Sequence, residues 1–359
     1  MKIGTLLRIE YIKTVKRRAF WVAIAFLALI SGVAIVSGLM EGRQGTSAPF
    51  VPPFSWAMTA AELGPMPAFF LALTIVMLVT SEYSWRTARQ NVIDGLSKEQ
   101  FFAAKWLMAI MVTIAFTIVP FAVATGVAIY GRINGATPAT SPTPASTAKP
   151  DSAASQAAAL AAAIDSTRQA LAKAPTAADS ARIIGRRRSD STQATLRQAL
   201  RDARSQRPRA VYPPPDPGAP LVSLGELKVA GGYLLGSLGF AAMAFMLAML
   251  LRSTGGAIGV FFLYFAFLEQ LIGLVLRRIG SVELASKVMP YMPLTALRGP
   301  ANPNIWSAAY VERANVIAVS VGQPAQVVDA DMMKVIGLPL AWIAVFVLVT
   351  FVVFRRRDL

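Results

Sequence analysis

The sequence predicts an all-α polytopic membrane protein: six transmembrane helices, an N-terminal amphipathic interfacial helix and a large, partly helical extracytoplasmic insert. The first observation is composition, because the 359 residues are 55% hydrophobic and only 15% charged, unlike an ordinary soluble domain. The second is that six segments are long and apolar enough to cross about 30 Å of hydrocarbon as helices. The third is a polar stretch of low complexity between the third and fourth segments.

The expected helices follow one another along the chain. Residues 1–18 carry apolar side chains at helical spacing with basic side chains largely elsewhere, which is typical of a helix lying in the inner interface. One span, 253–276, contains a single acid, Glu269. The other spans contain no charged residue and cover 19–40, 63–81, 106–131, 229–251 and 335–354.

These features divide the chain into consecutive regions. The regions are the interfacial helix 1–18, the first three spans 19–131 with a cytoplasmic segment 82–105, the insert 132–228, the next two spans 229–276, an outer loop 277–334, and the last span with its basic tail 335–359.

The distribution of basic residues predicts the orientation, because Lys and Arg accumulate in cytoplasmic loops. The basic residues of the expected inner side are Lys2, Arg8, Lys13, Lys16, Arg17, Arg18, Arg86, Arg89, Lys98, Lys105, Arg252, Arg355, Arg356 and Arg357. The opposing short loop 41–62 has only Arg43, whereas Arg277 and Arg278 at the outer end of the fifth span run against the pattern. We therefore expect a bacterial-type inner-membrane protein with both termini in the cytoplasm. Its net charge of +16 favours contact with anionic lipid over nucleic acid.

The segment 82–105 reads EYSWRTARQNVIDGLSKEQFFAAK. Residues 82–94 are expected to extend the second span as a helix that stops at Gly95, a residue suited to the left-handed position after a helix. Ser97 then begins a new helix with Gln100 at capping-box spacing. The result is a compact basic projection into the cytoplasm, or alternatively a purely structural turn anchored at the interface by its tryptophans.

The insert 132–228 begins as an Ala-, Ser-, Thr- and Pro-rich linker and then has helical composition over 152–173 and 177–205. A projecting helix pair and a largely disordered stalk are equally compatible with it. Its basic patch fits a solvated helix face better than contact with an envelope partner. That patch comprises Arg186, Arg187, Arg188, Arg197, Arg201 and Arg204.

Polar and small residues within the spans are candidate sites. Glu269 and its neighbour Gln270 form a possible intramembrane polar site, because an acid inside a span is costly; pairing with Arg277 is the structural alternative. Glu82, at the inner end of the second span, is expected in a salt bridge or helix cap near Arg86. The glycines of the fourth span include the small-x-x-x-small pair Gly232 and Gly236, which favours close helix packing and a possible subunit interface.

Several chemistries are excluded by composition. The chain contains no Cys and no His, so thiol catalysis, Ser-His-Asp catalysis and Cys-based metal sites are not available to it. The dipeptide Gly-Lys does not occur, which excludes the phosphate-binding P-loop. We therefore expect a protein that is not an enzyme and binds no cofactor or metal itself.

The residues from Glu82 to Lys105 resemble a local pattern of the membrane subunits of type 2 ATP-binding-cassette (ABC) transporters. That pattern has an acid ending the second span, then Thr-x-Arg, a short turn, a Ser, and a Lys opening the third span. Here these positions are Glu82, Thr87 with Arg89, Ser97 and Lys105; Arg86 stands where the pattern more generally has Gly. The six spans and the lead helix agree with the family's architecture. The insert 132–228 is outside it.

The resemblance implies a permease subunit of an ABC exporter. Two permease copies, or one and a paralogue, would pair, and each would dock on a cytoplasmic ABC ATPase that holds ATP and Mg²⁺. Helix 82–94 would be the coupling helix that transmits closure of the ATPases to the spans. The residues implied in ATPase coupling are Glu82, Trp85, Arg86, Arg89, Asp94, Gly95 and Ser97.

Two other functions stay open on the sequence alone. An ion-coupled secondary transporter would use Glu269 as its coupling acid, although five spans are free of charge. A non-transporting envelope scaffold would use the insert 132–228 to bind an envelope partner and the spans only as an anchor. Neither the substrate nor the direction of transport follows from these residues.

Overall fold

The computed structural model describes residues 3–43, 55–84, 97–133, 220–308, 310–312, 315 and 330–356. The described part is helical and contains no β-strand. Its α-helices are α1 (Ile3–Val15), α2 (Arg18–Arg43), α3 (Ser55–Leu63), α4 (Met66–Ser84), α5 (Lys98–Ile133), α6 (Leu224–Leu251), α7 (Thr254–Leu263), α8 (Glu269–Val275), α9 (Val282–Val288), α10 (Pro293–Arg298), α11 (Pro303–Trp306) and α12 (Leu338–Arg356).

Six helical stretches are long and apolar enough to span a membrane, which confirms the expected number within the described residues. They are Arg18–Ser37, Met66–Tyr83, Lys98–Tyr130, Leu224–Leu251, Thr254–Gly280 and Met333–Arg356. The fifth comprises α7, a π-helical turn Tyr264–Leu268, α8 and a second π-helical turn Leu276–Gly280.

Several span boundaries differ from the sequence prediction, and two of these differences have a clear local cause. The second span begins at Met66 rather than residue 63, because Gly64 has a positive φ of 51° and separates it from α3. The third begins at Lys98 rather than residue 106, since one continuous helix runs from the cap at Ser97 to Ile133. Helix α3 itself lies in the segment 41–62 that the sequence treated as a loop.

Helix α6 is the centre of the fold and packs against α3, α4, α5 and α12. Its inward side chains are small or aromatic, and Ala241, Ala244 and Phe245 are completely buried. Aromatic rings fill the core beside the first turns of α5, where the Phe102 ring lies 5.6 Å from the Phe245 ring, centroid to centroid. Helix α6 therefore contacts most of the other helices, and we expect mutations along it to disturb packing across the bundle.

The segment between the fifth span and Trp306 folds into short helices that pack on α6. We call residues 281–306 the outer segment, after the side of the membrane on which the sequence analysis predicts them. The helix α10, the 3₁₀ turn Gly299–Ala301 and α11 all contact α6. The sequence analysis assigned this region to the outer loop 277–334. Most of that loop after residue 312 lies outside the described residues.

The glycines of α6 receive this outer segment. A Cβ on Gly232 would overlap the carbonyl oxygen of Pro300, and one on Gly236 would lie 2.5 Å from that of Leu297. The close packing predicted from these glycines is therefore present, but in the described chain it serves an intrachain contact. The suggested subunit interface is not needed to explain them.

One face of helix α1 packs against the rest of the fold. Its residues Leu6, Glu10 and Thr14 are at most 7% exposed. Leu7, Tyr11 and Ile12 stay exposed on it. The helix predicted at the N-terminus is thus present. Its location in a membrane interface stays a prediction.

Candidate functional site

Four charged residues meet where the C-terminal ends of α1 and α4 approach the first turns of α5. We call this the inner end, because the sequence analysis predicts that it faces the cytoplasm. The Nζ of Lys105 donates hydrogen bonds to Glu10 Oε2 at 2.7 Å and to Glu82 Oε1 at 2.6 Å. Lys13 adds a second ammonium, 3.6 Å from Glu10 Oε1 and 3.7 Å from Glu82 Oε1. We call Glu10, Lys13, Glu82 and Lys105 the ion cluster.

Three of the four members of the ion cluster are buried, and the charges of the cluster balance. Lys105, Glu82 and Glu10 are only 2%, 3% and 7% exposed, and two ammonium groups face two carboxylates. A buried charge costs several kcal/mol unless it is paired and hydrogen-bonded. Lys105 also lies 5.5 Å from the centroid of the Phe101 ring, which adds a cation–π contact. Each side chain is therefore held in place by the others.

A second contact at the same inner end joins the α1–α2 junction to α4. The guanidinium of Arg17, at the junction of α1 and α2, donates hydrogen bonds to the Ser81 hydroxyl and, at 3.4 Å, to the carbonyl of Leu78. Because both acceptors belong to the last turns of α4, the junction of α1 and α2 is held against the end of the second span. The N-terminal helix thus braces α4 at two points.

The predicted capping box at the start of α5 is confirmed. The amide of Gln100 donates to the Ser97 hydroxyl at 3.1 Å, and the Ser97 amide donates to Gln100 Oε1 at 3.3 Å. This reciprocal pair satisfies two backbone donors at the helix start. It fixes where the third span begins.

Only part of the predicted coupling segment falls within the described residues. Glu82 and Ser97 are described, and they mark its two ends: Glu82 is buried in the ion cluster, and Ser97 caps α5. Trp85, Arg86, Arg89, Asp94 and Gly95 lie outside the described residues. Glu82 forms ion pairs with Lys105 and Lys13. The contact expected near Arg86 lies outside the described residues.

Glu269, the acid of the fifth span, caps a helix. Its carboxylate accepts hydrogen bonds from the amides of Leu294 and Thr295 at 2.8 and 2.7 Å, at the start of α10. The hydroxyls of Thr295 and Tyr264 donate to it as well. The residue is 2% exposed, and its partners are these four donors rather than Arg277, which is exposed. Its neighbour Gln270 is exposed, so the predicted pair does not form one polar site.

Glu226 is a second buried acid with the same function, and the sequence analysis missed it. It accepts hydrogen bonds from the amides of Trp56 at 2.7 Å and Ala57 at 3.0 Å, in the first turn of α3. The residue is completely buried. Ser223 and Glu226 have capping-box spacing, which signals that α6 begins at Leu224, five residues before the predicted span. The local sequence does not show that the carboxylate caps a different helix.

The buried carboxylates of the described spans, Glu82, Glu226 and Glu269, thus have structural partners. No group of three or more His, Cys, Asp or Glu residues suited to a metal ion occurs among the described residues. A scan against protein-family models finds no match, and a search of curated proteins finds no significantly similar sequence. A function must therefore be argued from the geometry of this chain.

Proposed function

We propose that this chain is the permease subunit of a type 2 ABC exporter in a bacterial-type inner membrane. ATP would be hydrolysed by a separate cytoplasmic ATPase docked on the segment that begins at Glu82. A second permease copy or a paralogue would complete the pathway. Both termini would lie in the cytoplasm, together with the ion cluster.

The ion cluster is the observation that carries this proposal. The two residues in direct contact, Glu82 and Lys105, are the acid and the lysine on which the family resemblance depends. They bracket residues 85–96, the basic stretch proposed to dock the ATPase. A segment with both ends held by buried ionic contacts can pass a displacement to α4 and α5 instead of absorbing it.

The geometry gives less support to the two alternative functions, an ion-coupled transporter and an envelope scaffold. Glu269 accepts four hydrogen bonds and holds α10 in place, which suits a structural acid better than one that must release and rebind a proton. The scaffold alternative depends on the insert 132–228, most of which lies outside the described residues. Both are outcomes of the experiment that follows.

The test is purification of the tagged protein from its native host in mild detergent, followed by mass spectrometry and an ATPase assay. We expect a stoichiometric P-loop ATPase with vanadate-sensitive turnover. Arg86→Glu combined with Arg89→Glu should abolish its recovery and leave membrane insertion intact. The matched control is Arg277→Glu with Arg278→Glu, a charge reversal of equal size at the predicted outer end of the fifth span.

Each outcome has a defined meaning. Recovery of the ATPase with wild type and control but not with Arg86→Glu/Arg89→Glu supports both the function and the docking segment. Equal recovery with all three would overturn the docking assignment. Absence of any ATPase would overturn the exporter proposal, and a proton-flux assay on Glu269→Gln would then separate carrier from scaffold.

A further inference from the structure

A cavity of about 300 Å³ lies between the α3–α4 turn, the outer half of α6 and the outer segment that packs on it. Ala60, Ala68, Phe240 and Leu297 give it a mainly apolar wall. Its volume falls at the lower end of the range for small-molecule sites. The glycine at position 236 forms part of the wall, where a larger residue would collide with Leu297.

Two hydrogen-bonding groups in this wall have no partner among the described residues. The hydroxyl of Tyr233 is buried and unbonded, and the whole residue is 3% exposed. The Nε of Arg298 is likewise buried and unbonded. Both residues line the same cavity. Because an unsatisfied buried polar group is costly, such a pair is typical of a site that is completed by a ligand.

The environment of Arg298 favours an anionic ligand. Its guanidinium lies 5.1 Å from the centroid of the Phe265 ring, a weaker partner than a carboxylate. Burial lowers the pKa of this side chain, and the more remote charge of Glu269 only partly opposes that effect. The carboxylate of Glu269 is itself occupied by its four donors. An oxyanion in the cavity would give the buried Nε of Arg298 a hydrogen-bond acceptor and a closer charge partner, which the described residues do not provide.

We propose that this cavity binds an amphiphile: its oxyanion, a phosphate or carboxylate, is bound by Arg298 and Tyr233, and its apolar part lies against the alanines and Phe240. This inference stands apart from the proposed exporter function, since a substrate and a regulatory lipid would both satisfy it. Phosphate chemistry is shared by a phospholipid headgroup and a soluble phosphate. The experiment separates these sources.

The probe is dodecyl phosphate, titrated onto the full chain in phosphatidylcholine nanodiscs, with binding followed by the thermal unfolding midpoint. We expect saturable stabilisation of wild type. Arg298→Gln should weaken binding by about tenfold or more, since charge-assisted hydrogen bonds are the strong ones. Tyr233→Phe should weaken it about threefold or more. The matched controls are the exposed Arg278→Gln and Tyr291→Phe, which should bind as wild type does.

Tyr233→Phe tests ligand binding even if Arg298→Gln fails to fold. It removes only an unsatisfied hydroxyl, so the variant without ligand should be at least as stable as wild type while its ligand-induced shift falls. Equal shifts for wild type and Tyr233→Phe would overturn the proposal. Competition by inorganic phosphate would identify a soluble anion, whereas retention of phosphatidylglycerol by wild type but not Tyr233→Phe in native mass spectrometry would identify a lipid.

Discussion

The ammonium of Lys105 lies 2.6 Å from the carboxylate of Glu82, and this contact joins the inner ends of α4 and α5. The two residues are 23 positions apart. Between them lies the basic segment that connects the second and third spans. Glu10 reaches the same ammonium from α1, so three helices share one buried cation. This arrangement makes the ends of the segment rigid with respect to the spans.

Removing the shared cation should be strongly destabilising. In Lys105→Met, Glu10 and Glu82 would stay buried with only the half-exposed Lys13 nearby. Breaking a buried ion pair from one side costs about 3–5 kcal/mol, so we expect a loss of that order in the free energy of unfolding. The measurement is unfolding in mixed micelles of increasing dodecyl sulfate content. Lys287→Met, in an exposed pair with Glu283, is the control and should lose less than about 1 kcal/mol.

Neutralising the three buried residues of the cluster together should recover much of that loss. Glu10→Gln and Glu82→Gln combined with Lys105→Met remove both buried carboxylates, and replacing a complete buried ion pair by neutral residues is often close to neutral in stability. We expect the triple variant to be more stable than Lys105→Met alone in the same assay. A triple variant less stable than Lys105→Met would show that the glutamates contribute mainly through other contacts.

The cap at Ser97 should control fraying at the start of α5. Ser97→Ala removes the acceptor for the Gln100 amide, and loss of such a cap costs about 1 kcal/mol. We expect faster amide hydrogen exchange at Glu99 and Gln100, with little change in the middle of α5. Ser97→Asp supplies another good N-cap acceptor and is the matched control. Uniform acceleration along the whole helix would contradict a local capping role.

Hydropathy identified the six spans because crossing hydrocarbon demands long apolar helices whatever the rest of the fold does. The capping box at Ser97 could also be predicted from the sequence, since its two partners are three residues apart. The capping roles of Glu226 and Glu269 could not be predicted in this way. Glu226 caps a helix that begins about 170 positions earlier in the chain, and Glu269 caps one about 25 positions later. No local pattern encodes such a pairing. An acid within an apolar stretch is compatible with a role in transport as well as with a structural role.

The same limit applies to the glycines and to the ion cluster. The spacing of Gly232 and Gly236 predicted close packing but not the partner, which is the outer segment of the same chain. Glu82 was expected to form a salt bridge, yet Glu10 and Lys105 come from helices whose relative positions depend on the assembled bundle. The sequence therefore singled out Glu82 and Lys105 separately, whereas their contact and the participation of Glu10 and Lys13 follow from three-dimensional packing.

The carboxylate of Glu269 should matter for the structure of the outer segment. Glu269→Gln keeps the size of the side chain but turns one accepting oxygen into a donor that faces the amides of Leu294 and Thr295. We expect a loss of about 1–3 kcal/mol in stability and faster hydrogen exchange in α10. The matched control is Gln270→Asn, a polar substitution one position away at an exposed site, which should change neither stability nor exchange in α10 by a comparable amount. Unchanged exchange in α10, combined with loss of a proton flux that wild type shows, would favour the carrier alternative.

The adjacent glycines Gly231 and Gly232 offer a matched test of how the outer segment packs on α6. An alanine at 232 would collide with Pro300 and the Trp306 ring, whereas an alanine at 231 would meet no atom within 4 Å among the described residues. Overpacking of this kind costs about 1–3 kcal/mol, so Gly232→Ala should lower the unfolding midpoint and expose the outer segment to protease. Gly231→Ala should instead stabilise α6 by about 0.5–1 kcal/mol, because glycine weakens helix interiors by that amount. Equal effects of the two substitutions would show that the outer segment does not rest on α6 in the folded protein.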